Sequence, residues 1–179
     1  MNPSGEFETT RDLEATQIPS GQKSAVVKGT KGRIVQALGG SYTVLTQDGY
    51  MLRIEGQDGD AIGQQKIEGP SLEGLSTEEK IWAQLKTCYD PEIPVNIADL
   101  GLIYACEISD FPDGGGHRVE IKMTLTAPGC GMGDVLKAEV ERKLLMLEEI
   151  KDVRVELVWE PAWNRDLMSD AAKLKLGMF

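Results

Sequence analysis

The chain has 179 residues, 41% of them apolar and 27% charged, with a formal net charge of −10. The apolar share suffices for a buried core, and the acidic balance argues against sequence-independent nucleic-acid binding, which needs a basic surface. No run approaches the ~18–20 apolar residues of a membrane span, and residues 1–16 lack the basic start and apolar stretch of a secretory signal. The expectation is a cytoplasmic protein with neither nucleic acid nor membrane as a partner.

Residues 1–25 are polar and rich in Glu, Thr, Ser and Gln, a composition that predicts a disordered N-terminal segment. The texture changes at Val26. Residues 29–38 read as a turn and strand, Gly39-Gly40 as a turn, 41–46 as a strand, Asp48-Gly49 as a hairpin turn and 50–54 as the return strand. This predicts a small all-β unit over 26–68, followed by a Gly/Pro-containing linker at 69–75.

From 76 onward the periodicity becomes helical and then mixed. Ser76 and Glu79 form a capping-box pattern, and Ile81, Leu85 and Cys88 share one helical face. The long proline-marked loop from Asp90 to Gly101 follows, then a strand over 102–109, a turn at Asp113-Gly114-Gly115-Gly116 and an antiparallel return over 118–125. Leu136, Val140, Leu144 and Leu147 mark the buried face of the next helix. Val153, Val155, Leu157 and Trp159 line one face of the last strand. Asn164 is placed to cap a final helix with Leu167, Ala171 and Leu174 on one face. The predicted fold class is α+β: a small two-layer α-β-β-α-β-α domain over 76–179 with a mixed sheet, its second and third strands parallel, preceded by the small all-β unit.

The chemistry concentrates at Cys130. It stands where a strand gives way to a helix, between Gly129 and Gly131. Exposed backbone and the positive end of the helix dipole favour the thiolate there, the form that binds iron or attacks electrophiles. The other two cysteines, Cys88 and Cys106, read as small apolar residues in a helix face and a strand. There is no Cys-x-x-Cys, and His117 is the single histidine, at a strand start. These facts oppose a zinc ribbon, a thioredoxin-type dithiol or a two-histidine metal site.

If the second and third strands are parallel, the loops that follow them share an edge of the sheet, a favoured place for sites in parallel α/β units. The Asp90–Gly101 loop can reach that edge. Asp90, Glu92 and Asp99 would then stand near Cys130, a carboxylate-plus-thiolate set suited to ferrous iron or a cluster. Structural readings stand beside this one. Asp90 and Asp99 are equally suited to closing turns, Glu92 to facing solvent, Thr126 to bonding backbone, and Trp159 and Trp163 to core or interface packing.

Two stretches carry a family likeness. Asp90-Pro91-Glu92-Ile93-Pro94-Val95-Asn96-Ile97-Ala98-Asp99-Leu100-Gly101-Leu102-Ile103-Tyr104 resembles the signature of the iron–sulfur cluster assembly domain family. Met123-Thr124-Leu125-Thr126-Ala127-Pro128-Gly129-Cys130 resembles its second motif, cysteine included. Ala98 stands where Val is common in the family, which keeps the site apolar. Residues 36–44 and 159–169 resemble the N-terminal extension and C-terminal segment of a stand-alone bacterial member.

The resemblance implies a non-enzymatic accessory factor whose important residues are Asp99 and Cys130, then Asp90, Glu92 and Thr126. It also implies transient iron or Fe–S cluster binding with no tightly bound cofactor. Its implied partners are SUF assembly proteins and Fe–S recipient proteins, with a homodimer as one way to supply further ligands. An adaptor that docks client proteins without binding metal is the alternative. A thiol enzyme using His117 as base is a weaker third reading.

Overall fold

The structure is a computed structural model that describes residues 5–90, 93–129 and 131–178. The chain divides into two compact units, residues 1–70 and 71–179.

The first unit is a six-stranded antiparallel sheet in the order β1-β4-β5-β6-β2-β3. Its strands are β1 (Glu6–Glu8), β2 (Leu13–Gln17), β3 (Lys23–Val26), β4 (Lys31–Leu38), β5 (Ser41–Thr46) and β6 (Met51–Glu55), followed by a 3-10 turn over Gly56–Ile62. The link from β1 to β2 and the link from β3 to β4 remain paired at a corner, where Thr9 N donates to Thr30 O at 2.9 Å and Gly29 N to Thr9 O at 2.8 Å. Phe7, Leu13, Val26, Ile34, Val44, Leu52 and Ile54 fill the interior.

The expectation of a disordered segment over 1–25 is corrected: β1, β2 and most of β3 lie within it. Composition misleads there because apolar residues are few. The ones present, Phe7, Leu13 and Ala15, alternate with charged residues at the strand period and are all buried. The Gly39-Gly40 and Asp48-Gly49 turns fall where the sequence puts them, with Gly39, Gly40 and Gly49 all at positive φ.

The second unit contains α1 (Thr77–Leu85), β7 (Ile103–Asp110), β8 (His117–Met123), α2 (Gly133–Leu145), β9 (Ile150–Leu157) and α3 (Asp170–Lys175), the predicted α-β-β-α-β-α order. The sheet runs β7-β8-β9, with β8 antiparallel to β7 and parallel to β9. Val119, Ile121 and Met123 alternate into the core from β8. Ile81 and Leu85 of α1 and Leu136, Val140 and Leu144 of α2 close over them. Ser76 caps α1 in a complete capping box with Glu79, whose carboxyl is held below its ordinary range by the bonds from Ser76.

The last helix is corrected. Asn164 caps a 3-10 turn over Arg165–Leu167, and Ser169 caps α3 by accepting from Ala172 N. The buried face is therefore Met168, Ala172 and Leu176, while Leu167 and Leu174 are exposed. The shift arises because Met168 is extended, which restarts the helical phase at Ser169.

The N-terminal corner is testable. Thr9 is 2% exposed, and its hydroxyl donates to Val27 O at 2.7 Å and accepts from Thr30 N at 2.9 Å. Thr9→Val should keep the volume and remove both bonds, leaving Val27 O with the Thr30 hydroxyl at 2.8 Å and Thr30 N with only its longer bond to Val27 O at 3.2 Å. The expected cost is about 1–3 kcal/mol, read from urea unfolding followed by far-UV circular dichroism; a variant as stable as the parent would exclude the corner from the folded unit.

Candidate functional site

Three segments of the second unit meet at the edge of the sheet where the parallel strands β8 and β9 end. The loop 90–102 enters β7, the turn 124–132 leaves β8, and the strap 158–169 leaves β9. Backbone bonds stitch them together: Thr124 N donates to Leu102 O at 2.9 Å and Val158 N to Met123 O at 2.8 Å.

Asp90 opens the loop and is 5% exposed. One carboxylate oxygen accepts from Ile93 N at 2.9 Å, the turn-closing geometry expected of an aspartate before proline. The other lies 3.4 Å from the Thr126 hydroxyl, longer than an ordinary O–H···O bond. The structure thus brings Asp90 and Thr126 together, with the Thr126 hydroxyl beside this carboxylate. Two further predicted site residues, Glu92 and Cys130, lie outside the described residues.

Asp99 is engaged elsewhere. Its Oδ2 accepts from Asn96 Nδ2 at 2.6 Å, and its Oδ1 accepts from the Ser169 hydroxyl at 3.2 Å. The turn at Leu100-Gly101 is closed by Asn96, whose Oδ1 accepts from Asp99 N at 2.8 Å and whose carbonyl accepts from Leu100 N at 3.0 Å. The strap is bound at four more points. Ser169 N donates to Asp99 O at 2.8 Å, Trp163 Nε1 to Leu100 O at 2.8 Å and the Tyr104 hydroxyl to Pro161 O at 2.7 Å. Gly101, at φ +72°, lets Leu167 lie directly against its Cα. Tyr104 reaches the strap from a bulge in β7, where the register against β8 shifts between Ile103 and Ala105.

Asn96, Gly101, Tyr104 and Ser169 were not singled out as functional by their residue type. Two local signals existed: the Asn96-x-x-Asp99 spacing of an Asx-type turn, and Ser169 directly before an acidic first turn. Trp163 was singled out and proves to be an anchor of the strap, whereas Trp159 is 46% exposed.

The two described cysteines read as predicted. Cys88 is fully buried in the core. Cys106 is half-buried in β7, and burial, followed by the nearby Glu78 charge, pushes its thiol pKa up and favours the neutral form. His117 sits at the start of β8 with Nδ1 3.1 Å from Asp110. Among the described residues, no group of three or more His, Cys, Asp or Glu is placed to hold a metal ion.

The profile of the family described as iron–sulfur cluster assembly protein matches residues 78–157. An Fe-S protein maturation auxiliary factor of Porphyromonas gingivalis is 46% identical over 105 residues, 59% of this chain and 95% of the relative. The Fe-S protein maturation auxiliary factor YitW of Bacillus subtilis is 42% identical over 101 residues, 56% of this chain and 94% of the relative. The Fe-S protein maturation auxiliary factor SufT of Staphylococcus aureus is 39% identical over 89 residues, 50% of this chain and 96% of the relative. The chain belongs to the iron–sulfur cluster assembly protein family.

Two predictions follow from this packing. A Cβ at residue 101 would stand 2.2 Å from Leu167 O, so Gly101→Ala should cost at least about 1–3 kcal/mol from the left-handed backbone alone and push the strap away. A red-shifted tryptophan emission from Trp163 reports the displacement; unchanged stability and emission would refute the close packing. Because its neutral thiol is favoured, Cys106 should react with iodoacetamide at pH 8 more slowly than free cysteine, measured by peptide mass spectrometry.

Proposed function

We propose that this chain is an accessory factor in iron–sulfur cluster assembly or transfer to recipient proteins, and not an enzyme. Iron or a cluster is its cargo, held transiently. The observation that carries this reading is the buried Asp90 carboxylate set beside Thr126, at the start of the turn that leads to Cys130. Cys130 supplies the thiolate, with the Asp90 and Glu92 carboxylates of the facing loop as hard-oxygen companions; such a set suits ferrous iron. One thiolate per chain is few for a cluster, which takes four ligands at its irons. A weakly held cluster can leave, and the missing ligands come from a second copy of the chain, a small thiol or a partner protein.

Fe-S maturation relatives support partners of two kinds, SUF assembly proteins and Fe–S recipients. Among the described residues, no helix is long and apolar enough to cross a membrane, and a cytoplasmic location is the reading in keeping with a reduced thiol.

One observation favours a second role, that of an adaptor. Trp159 is exposed at the end of β9, beside the edge where the three segments meet, and exposed tryptophans often anchor protein interfaces.

Anaerobic reconstitution with iron and sulfide separates the two. On the leading reading the protein acquires a labile charge-transfer absorbance, and Cys130→Ser lowers bound iron by at least about tenfold. A spectrum and iron content unaltered by Cys130→Ser would remove the ligand role. Full retention of client binding by that variant would then leave the adaptor.

A further inference from the structure

We propose that Asp99 is a positioning residue rather than a ligand, and that the C-terminal strap it grips is an integral part of the site. The inference rests on reading this sheet edge as the functional site.

The Asp99 carboxylate is shared between the two sides of a seam. On the loop side it accepts from Asn96 Nδ2 at 2.6 Å, a short charge-assisted bond. On the strap side it accepts from Ser169 Oγ at 3.2 Å, while the Asp99 carbonyl accepts from Ser169 N at 2.8 Å. Ser169 is also the cap of α3, accepting from Ala172 N at 3.1 Å. The N-cap of the last helix is thereby tied to the signature loop.

The tie continues to Asp90. Asn96 forms a β-bridge with Tyr89, the residue before Asp90. Asp90 N donates to Val95 O at 3.3 Å and Ile97 N to Cys88 O at 2.9 Å. The loop is thus a small closed hairpin with Asp90 on one arm and Asn96 on the other. A second tether acts on the first arm from α3 itself: the Lys175 ammonium sits 5.8 Å from the centroid of the Tyr89 ring, within cation–π range. Strap and helix hold both arms of the hairpin that presents the Asp90 carboxylate to Thr126.

This arrangement accounts for the hydrogen-bonding side chain at 99. Both of its oxygens already accept bonds from neutral donors, Asn96 on one side and Ser169 on the other, and a side chain that turned toward a metal would give up its side-chain bond to the strap. The anchoring elements lie at 161–176, beyond the segment matched by the family profile, which ends at 157.

The test uses the full chain with Ser169→Ala, Asp99→Ala and Asp99→Asn, and reads amide hydrogen exchange by NMR. Ser169→Ala and Asp99→Ala are expected to speed exchange at Asp90 and Ile93 by about tenfold or more, with Val119 and Ile121 of β8 unchanged, as local opening requires. Asp99→Asn is expected to stay within about threefold of the parent. Its amide oxygen can accept from Asn96, and its NH₂ can donate to the second lone pair of Ser169 Oγ.

Unchanged exchange at Ile93 in Ser169→Ala, or equal acceleration in β8, would overturn the positioning role. So would Asp99→Asn behaving like Asp99→Ala. Iron retention after anaerobic reconstitution, read on the same variants, should follow the exchange data, with Asp99→Asn near the parent. Loss of iron in Asp99→Asn with exchange preserved would make Asp99 a ligand and sink the proposal. A parent protein that takes up no iron would fail the reading of function and leave the exchange result to decide the positioning role by itself.

Discussion

A single carboxylate organises the edge of the second unit. Asp99 stands where the signature loop meets the chain leaving β9, and both of its oxygens accept hydrogen bonds from side chains distant in sequence or across a turn. Such a group must find partners once it is partly withdrawn from water, because a carboxylate stripped of donors costs several kcal/mol. The seam supplies them, and in doing so it aligns Trp163 on the Leu100 carbonyl and Met168 and Ala172 on the core. The burial of those apolar groups and the satisfaction of the carboxylate occur at the same seam.

The consequence reaches the chemistry. A cargo ion needs carboxylate and thiolate groups held at fixed separation but not enclosed. On the proposed function, the carboxylate side of that requirement falls to Asp90, whose neighbours Tyr89 and Asn96 are bridged and anchored, at the end of a parallel strand pair. Rigidity is supplied by the neighbours of the site, so few side chains are left to coordinate. On the proposed function, that division suits a protein that receives and releases a cluster, where a full cage of ligands would retain it.

Much of this was legible in the chain. The capping box at Ser76, the helical faces of α1 and α2, the hairpin glycines and the alternation in β8 are local patterns. Each reflects the geometry of a single element. The N-terminal segment was misread because disorder was inferred from composition, while Phe7, Leu13 and Ala15 obey a period-two pattern too sparse to register over so few residues. The last helix was placed out of phase because Asn164 and Ser169 are both good caps, and only the extended backbone at Met168 decides between them.

Sequence alone determined the family and the α-β-β-α-β-α order, since motif spacing and periodicity are properties of a linear string. Tertiary structure decided what those residues do with their hydrogen-bonding capacity. Asp90 and Asp99 are the same residue type in one motif, yet one faces Thr126 and the other is consumed between Asn96 and Ser169. The difference comes from which distant donor each carboxylate meets, and contacts separated by 36 and 70 residues in the chain exist only once the sheet has brought the segments to one edge.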